Sequence, residues 1–209
     1  MIPDAYKTGF KRFYGRYFFV NQNVLIPRIE TEGLIDIVKD FSTQEQVSRV
    51  CDAGTGSGCI CITLKLELPN LDLTLLDLSD KALEVAKINA KRLKADVRII
   101  KNDLLDKNYD LVVANLPYIP HRRIRYLMSD VRDYEPHLAL DGGEKGLELI
   151  YKLLNQCLKL SVQYIVLEID DTHKISDFKK YQNIYKIEII KDIFKRNRYA
   201  ILRRNTVVS

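Results

Sequence analysis

From Val47 onward the chain alternates short apolar runs with amphipathic stretches. VSRVCDAG, LDLTLLD, DVRIIKND and YDLVVA are brief and rich in Val, Ile and Leu, as strands covered on both faces are. Between them, Cys59–Leu66 and Ser79–Leu93 repeat apolar residues at helical spacing, with Ser79 placed to cap the second helix. A long polar loop follows the fourth strand. Then come a helix from about Glu144 to Leu158, the apolar strand YIVLEID and a further helix over Asp171–Tyr181. The chain closes on two extended runs, YKIEIIKD and RYAILRR, joined through DIFKRN.

Ahead of this repeat, the opening twenty residues form an aromatic-rich lead-in ending GRYFFV, and NQNVLIP predicts a short extended piece closed by Pro27. Glu30–Phe41 carries Leu34, Ile35 and Val38 at helical spacing, with Glu30 and Glu32 where the helix dipole favours acids. The expected organisation is a lead-in and helix over 1–46 packed on a main unit over 47–209. Strand-helix repetition requires a largely parallel sheet with helices on both faces, an α/β architecture. The short link between the last two runs suits a hairpin. The final strand of the seven is therefore expected to run antiparallel at one side of the sheet, unlike a plain dinucleotide-binding topology.

At 209 residues the chain can bury one substantial core, and 46% hydrophobic with 29% charged residues fits a globular protein. No apolar run approaches the roughly 18 residues of a membrane helix. The first residues lack the apolar run of a secretory signal. Four cysteines at 51, 59, 61 and 157, with three scattered histidines, read as packing residues in a reducing compartment. No metal site and a cytoplasmic location are expected. The net charge of +5 is uneven: Lys87–Lys101 holds six basic residues against Asp96. Such a patch attracts nucleic acid or an acidic complex, or is simply a solvated face.

Two signals carry chemistry. In DAGTGSG, Asp52–Gly58, the glycines Gly54, Gly56 and Gly58 allow a tight turn and close ligand approach directly after a strand. No lysine follows the last glycine, which excludes a phosphate P-loop. Asp77, at the tip of the next strand, is placed to accept both hydroxyls of a ribose. Together they point to an adenosine-containing cofactor, although an ordinary turn and a surface acid would use the same letters. Asp52, expected at the crevice mouth, suits a cationic ligand such as a sulfonium better than a pyrophosphate, favouring S-adenosyl-L-methionine over NAD. Thr55 and Leu78 join the candidate cofactor-binding set. Asn102 and Asp103 stand where they could reach an adenine amine or merely form a turn.

The second signal is Asn115-Leu116-Pro117-Tyr118 at the end of the fourth strand, beside the crevice. Pro117 holds Leu116 extended, so the Asn115 side-chain oxygen and the Leu116 carbonyl make two acceptors at fixed separation. An NH2 group has two hydrogens to give them, and Tyr118 can stack on the planar group behind it. Asn115 therefore borders both the cofactor and the acceptor. A structural loop capped by Asn115 is the alternative.

These stretches resemble the glutamine-N5 methyltransferases of peptide-chain release factors, the PrmC/HemK family. The resemblance covers nearly all of the chain: YGRYFFVNQNVLIPRIETE, DAGTGSG, LLDLSDKALEVAKINA, VVANLPYIP, DVRDYEPHLALDGGEKGLELIYKLL and KDIFKRNRYAILRR. It implies the Rossmann-like class I S-adenosylmethionine-dependent methyltransferase fold, with methyl transfer to the glutamine of a Gly-Gly-Gln loop. By the same match Asn115, Pro117 and Tyr118 form the catalytic motif, with Leu116 contributing its carbonyl. Asp77 binds ribose, Gly54 and its neighbours the methionine part, and Asn102–Asp103 lie near adenine. Arg28 and Glu30 line or support the substrate cleft, or form a structural ion pair.

Two positions depart from the family pattern: Leu116 and Ile29 each stand where proline is usual. The resemblance also implies a small helical domain ahead of this stretch that is not found here. Asn-Leu-Pro-Tyr is similar to the tetrad of RNA adenine dimethyltransferases, whose N6 amine presents the same planar NH2. A nucleic-acid adenine-N6 methyltransferase is therefore the alternative, and a non-catalytic cofactor-binding module a second. The expected partner is a release factor, ahead of nucleic acid. No membrane association is expected, and since enzymes of this layout can work as monomers, a monomer is expected.

Overall fold

The computed structural model describes residues 1–205; residues 206–209, the end of the expected 47–209 unit, lie outside that description. The lead-in is structured. Helix α1 (Asp4–Thr8) precedes a hairpin of β1 (Phe10–Phe13) and β2 (Arg16–Phe19). Its two-residue turn, Tyr14-Gly15, has both residues at positive φ (46° and 77°), the geometry that matches strand twist. Tyr14 in place of the usual Asn or Asp hides that turn in the sequence. Phe13 and Phe18 bury their rings edge to face, 6.0 Å apart. The backbone of Phe19 exchanges two hydrogen bonds with the side chain of buried Asn89.

Helix α2 (Glu32–Gln44) begins two residues later than expected and buries Leu34, Ile35, Val38 and Phe41. The alternating units then follow as β3 (Arg49–Ala53), α3 (Cys59–Glu67), β4 (Asp72–Asp77), α4 (Asp80–Leu93), β5 (Arg98–Lys101) and β6 (Leu111–Ala114). Ser79 caps α4, its hydroxyl accepting from the Ala82 amide at 3.2 Å. The polar loop contains two short helices, α5 (His121–Ile124) and α6 (Ser129–Tyr134). Helix α7 (Glu148–Lys159) starts four residues later than expected, because Gly143 and Gly146 turn the preceding segment at positive φ. After β7 (Tyr164–Glu168), residues Ile175–Tyr181 form 3-10 turns rather than an α-helix, and β8 (Tyr185–Lys191) and β9 (Asn197–Arg204) close the chain.

The main sheet has seven strands in the order β5-β4-β3-β6-β7-β9-β8. Pairs from β5 to β7 are parallel, and β9 is antiparallel to both neighbours. The last strand is thus antiparallel, but it lies inside the sheet and β8 takes the edge. The physical cause is visible in the two runs. Tyr199–Leu202 is continuously buried, whereas β8 is buried at Tyr185 alone and exposes Lys186, Glu188 and Lys191, as an edge strand can. Helices α2, α3 and α4 cover one face of the sheet; α7, with Phe178 and Tyr181, covers the other. All four cysteines are buried and free.

Candidate active site

Strand order reverses between β3 and β6, so a crevice opens at their carboxyl ends. A cavity of about 200 Å³ lies there, walled by Gly54 and Gly56 after β3, Asp77 and Leu78 at the tip of β4, and Asn102 and Asp103 after β5. Asn115, Leu116 and Pro117 close it from β6. The Asp77 carboxylate is fixed by two backbone donors, Gly56 to Oδ2 and Ser79 to Oδ1, both at 2.9 Å. Each oxygen keeps a lone pair for a ligand hydroxyl. Gly54 has φ of 77°, and a Cβ there would meet Leu116 Cδ2 at 2.7 Å, so the glycine loop and the tetrad touch only because that side chain is missing. Leu78 is 54% exposed beside the cavity. Asp103 is paired with Lys152.

Asp52, Thr55 and Gly58 do not reach the cavity wall. The expectation that Asp52 stands at the crevice mouth is corrected: β3 is a central strand, and its Asp52 side chain is fully buried beneath the loop. Thr55 Oγ1 donates to Asp52 Oδ2 at 2.6 Å, while Oδ1 is unpartnered among the described residues. Burial pushes the carboxyl up to about 7, against the pull of the Thr55 hydrogen bond. A buried group titrating near neutrality is a poor lure for a cation, so the electrostatic argument for a sulfonium does not rest on Asp52.

The tetrad separates two spaces. Beyond it lies a second cavity of about 210 Å³, lined by Arg28, Tyr118 and Leu127 and sharing Leu25, Asn115, Leu116 and Ala139 with the first. Asn115, which borders both cavities, donates Nδ2 to Thr31 Oγ1 at 3.1 Å. Nothing among the described residues donates to that oxygen or to the Leu116 carbonyl. Leu116 itself is buried, its side chain reaching toward Gly54. Tyr118 donates its hydroxyl to Glu168 Oε1 at 2.8 Å. Burial and the neighbouring Glu168 push that phenol well above its usual range.

The tetrad is braced from behind by the segment that delays α7. Gly142 N donates to Ile119 O at 3.0 Å and His121 N to Gly143 O at 2.8 Å. A Cβ on Gly146 would lie 2.0 Å from the Tyr118 carbonyl oxygen, so DGGEKG is the backbone surface on which Tyr118 rests. Arg28 pairs with Glu135, which is 3% exposed and also accepts from the Ile26 amide. Glu30 lines neither cavity; its carbonyl accepts from Tyr199 Oη. Wall residues Asn23, Pro136 and Leu138, together with Thr31 and Glu168, were not singled out from the sequence. The one available signal was Glu168, an acid ending an apolar strand as Asp77 does.

A profile of the "Methyltransferase small domain" family matches residues 33–131. The release factor glutamine methyltransferase of Leptospira interrogans is 38% identical over 215 residues, covering 97% of this chain and 75% of that protein. That of Bacillus subtilis is 35% identical over 222 residues, covering 98% and 77%.

The chain belongs to the release factor glutamine methyltransferase family.

Against the Koribacter versatilis member it is 43% identical over 159 residues, 74% of this chain, and spans 57% of that relative's length. Among solved structures, the human hMettl16 catalytic domain in complex with a 3'UTR hairpin superposes with a TM-score of 0.73 at 16% identity, covering 99% of this chain and 91% of that one. A methyltransferase from Pyrococcus furiosus gives 0.63 at 17% identity, covering 91% and 89%. At such identity the likeness is one of fold: the Rossmann-like class I methyltransferase, whose cofactor is S-adenosyl-L-methionine. The first cavity fits that group, since Asp77 offers two anchored acceptors and Gly56 faces open space where a Cβ would meet nothing within 4 Å. Among the described residues no helix is long and apolar enough to cross a membrane, and no His, Cys, Asp or Glu cluster is placed to hold a metal.

Proposed function

We propose that this chain transfers a methyl group from S-adenosyl-L-methionine to the side-chain amide nitrogen (N5) of the glutamine in the Gly-Gly-Gln motif of a peptide-chain release factor, in the cytoplasm. One observation carries the reading. Asn115 and Leu116 border both cavities, and neither Asn115 Oδ1 nor the Leu116 carbonyl has a donor among the described residues, while Asn115 Nδ2 is held by Thr31. When bound, the cofactor supplies an electrophilic methyl on a sulfonium.

A glutamine amide nitrogen is a weak nucleophile because its lone pair is delocalised. Accepting both N–H bonds orients its face toward the neighbouring compartment and opposes the positive charge that grows as the N–C bond forms. The extra proton is acidic after transfer and leaves to water, so no strong base is required. Tyr118, half-buried and tethered to Glu168, supports the amide plane. On the cofactor side Asp77 takes the ribose, Gly54 and Gly56 the methionine part with Thr55, Gly58 and Asp52 beneath, and Leu78, Asn102 and Asp103 the adenine. Arg28 lines the substrate cavity while holding Glu135; Glu30 supports it through its backbone.

The test is incubation with labelled cofactor, a release factor and a separate RNA, with the methyl located by mass spectrometry. A methyl on the Gly-Gly-Gln glutamine is the expected result. Methylated RNA beside an untouched release factor would overturn the reading.

A further inference from the structure

We infer that Arg198 and Glu168, reaching in from β9 and β7, pin the hydroxyl of Tyr118 between them and so fix the ring that walls the second cavity. Both are positioning residues for methyl transfer, and their role rests on the amide-methylation reading above. A phenol oxygen has one proton to give and lone pairs with which to receive. Tyr118 uses both: it donates to Glu168 Oε1 at 2.8 Å and accepts a longer bond from Arg198 Nη1 at 3.5 Å. A guanidinium only donates, so the direction of the relay is set and the Tyr118 proton belongs to Glu168. That holds whether the carboxyl is charged or neutral, because Oε1 can accept while a proton sits on Oε2.

Arg198 is held where it can do this. Its side chain is 11% exposed and that of Asp192 is fully buried. Arg198 Nε donates to Asp192 Oδ2 at 3.0 Å, and Nη1 also reaches the Ile169 carbonyl at 3.3 Å. Asp192 is locked in its turn at the link between β8 and β9, where Oδ1 accepts from the Phe194 amide at 2.9 Å and the Arg196 amide at 3.0 Å. Those two bonds close the link without any arginine, so the turn does not explain a cation buried beneath the tetrad. The planar fork does: with Nε on Asp192, another N–H of the same rigid group is presented to Tyr118. A lysine, as a point charge, could not serve both at once.

The opposite end of Tyr118 is held as firmly. A Cβ on Gly142 would lie 2.8 Å from Tyr118 Cα, so the backbone of that residue sits directly against the DGGEKG segment. With its backbone seated there and its hydroxyl gripped from two strands, the ring has no freedom to swing out or to tilt into the cavity. Methyl transfer to an amide needs the nitrogen within a narrow range of distance and angle, and a displacement of about 1 Å can cost roughly a hundredfold in rate. A ring fixed at both ends supplies one rigid face for that alignment. Neither Glu168 nor Arg198 lines a cavity, so both act through Tyr118.

The experiment uses the full chain and crosses Arg198→Met and Glu168→Leu, each in turn, with Tyr118→Phe. Methionine keeps the stem of Arg198 without its donors. Because it leaves Asp192 buried and unpaired, the double variant Asp192→Asn with Arg198→Met stands in for it should it fail to fold. Glu168→Gln, which retains an acceptor oxygen, is the conservative rescue. Two readouts are taken: kcat on a release factor at saturating cofactor, and exchange of the Tyr118 hydroxyl proton, followed at its Cζ resonance by NMR and assigned by its loss in Tyr118→Phe. Expected are losses in kcat of at least about tenfold for Arg198→Met and Glu168→Leu, with cofactor affinity within about twofold and most of the second loss recovered in Glu168→Gln. Once Tyr118 is phenylalanine, neither substitution should cost more than about a further twofold. The hydroxyl should exchange slowly in the parent and at least about tenfold faster in both single variants. Losses that add fully to that of Tyr118→Phe overturn the inference, as does parent-like hydroxyl exchange in Arg198→Met. If the parent methylates no release factor, the functional reading falls, and hydroxyl exchange alone decides whether the ring is pinned.

Discussion

Replacing Asn115 by alanine removes one of the two acceptors and leaves the rest of the partition standing. Its side chain is half-buried and, among the described residues, makes a single hydrogen bond, to Thr31. The fold should therefore lose only about 1 kcal/mol, the cost of leaving that hydroxyl without its donor. The reaction should lose more. A fixed polar group aimed at developing charge is worth about 3 kcal/mol when deleted, roughly a hundredfold in rate. Asp77 and its two backbone donors are untouched, so cofactor affinity should change little. Single-turnover transfer to a release factor, with calorimetric titration of the cofactor, separates the two effects. A folded variant whose turnover stays within about threefold of the parent would refute the acceptor role. A loss of cofactor affinity matching the loss of rate would place Asn115 on the other side of the partition.

Asp77→Ala should show the reverse division: cofactor dissociation constant raised at least about tenfold, with a smaller effect on kcat at saturation. Titration calorimetry checks it, and unchanged affinity would remove Asp77 from the ribose site. Asp52 gives a pH signature. Its carboxyl titrates at about 7 in the folded chain against an ordinary 3.8, so the fold holds the proton more tightly than the unfolded chain. That contribution is complete below about pH 4 and is lost as pH rises through about 7, by up to about 4 kcal/mol. Melting without cofactor should show Asp52→Asn gaining on the parent between about pH 4 and 7; a gap indifferent to pH would contradict the burial argument. Gly146→Ala combines a φ of 73° with a Cβ only 2.0 Å from a backbone oxygen. Chemical denaturation should register a loss of at least about 2 kcal/mol, and a neutral result would mean that the DGGEKG segment yields easily.

Local periodicity was enough for the strand-helix alternation, because burial on one or both faces is written into consecutive residues. The order of β8 and β9 was harder, since both runs are apolar and only the outward alternation of YKIEIIKD marks an edge. The hairpin turn at Tyr14-Gly15 carries an aromatic residue where turn chemistry favours Asn or Asp. At the site, the tetrad and Asp77 could be recognised because each sits at the tip of an identifiable strand. Asp52 satisfied the same description, yet lies too deep, since strand position alone does not say how far a loop folds over its own first residue. Thr31 was invisible for a different reason: its partner Asn115 is 84 residues away, and a threonine before a helix looks like a cap. Glu135 and Arg28 are separated by 107 residues, and only the folded chain reveals that PRIETE and RDYEP are halves of one contact.

The hydrogen bond from Tyr199 to Glu30 joins the final strand to the turn that opens α2. Tyr14 and Asn115 also hold that turn, through Glu32 and Thr31, so the last strand supplies the third of three ties drawn from widely separated parts of the sequence. Proteolytic trimming back into β9 should therefore remove that tie together with core residues on both faces of the sheet, and cost the fold as well as the turn.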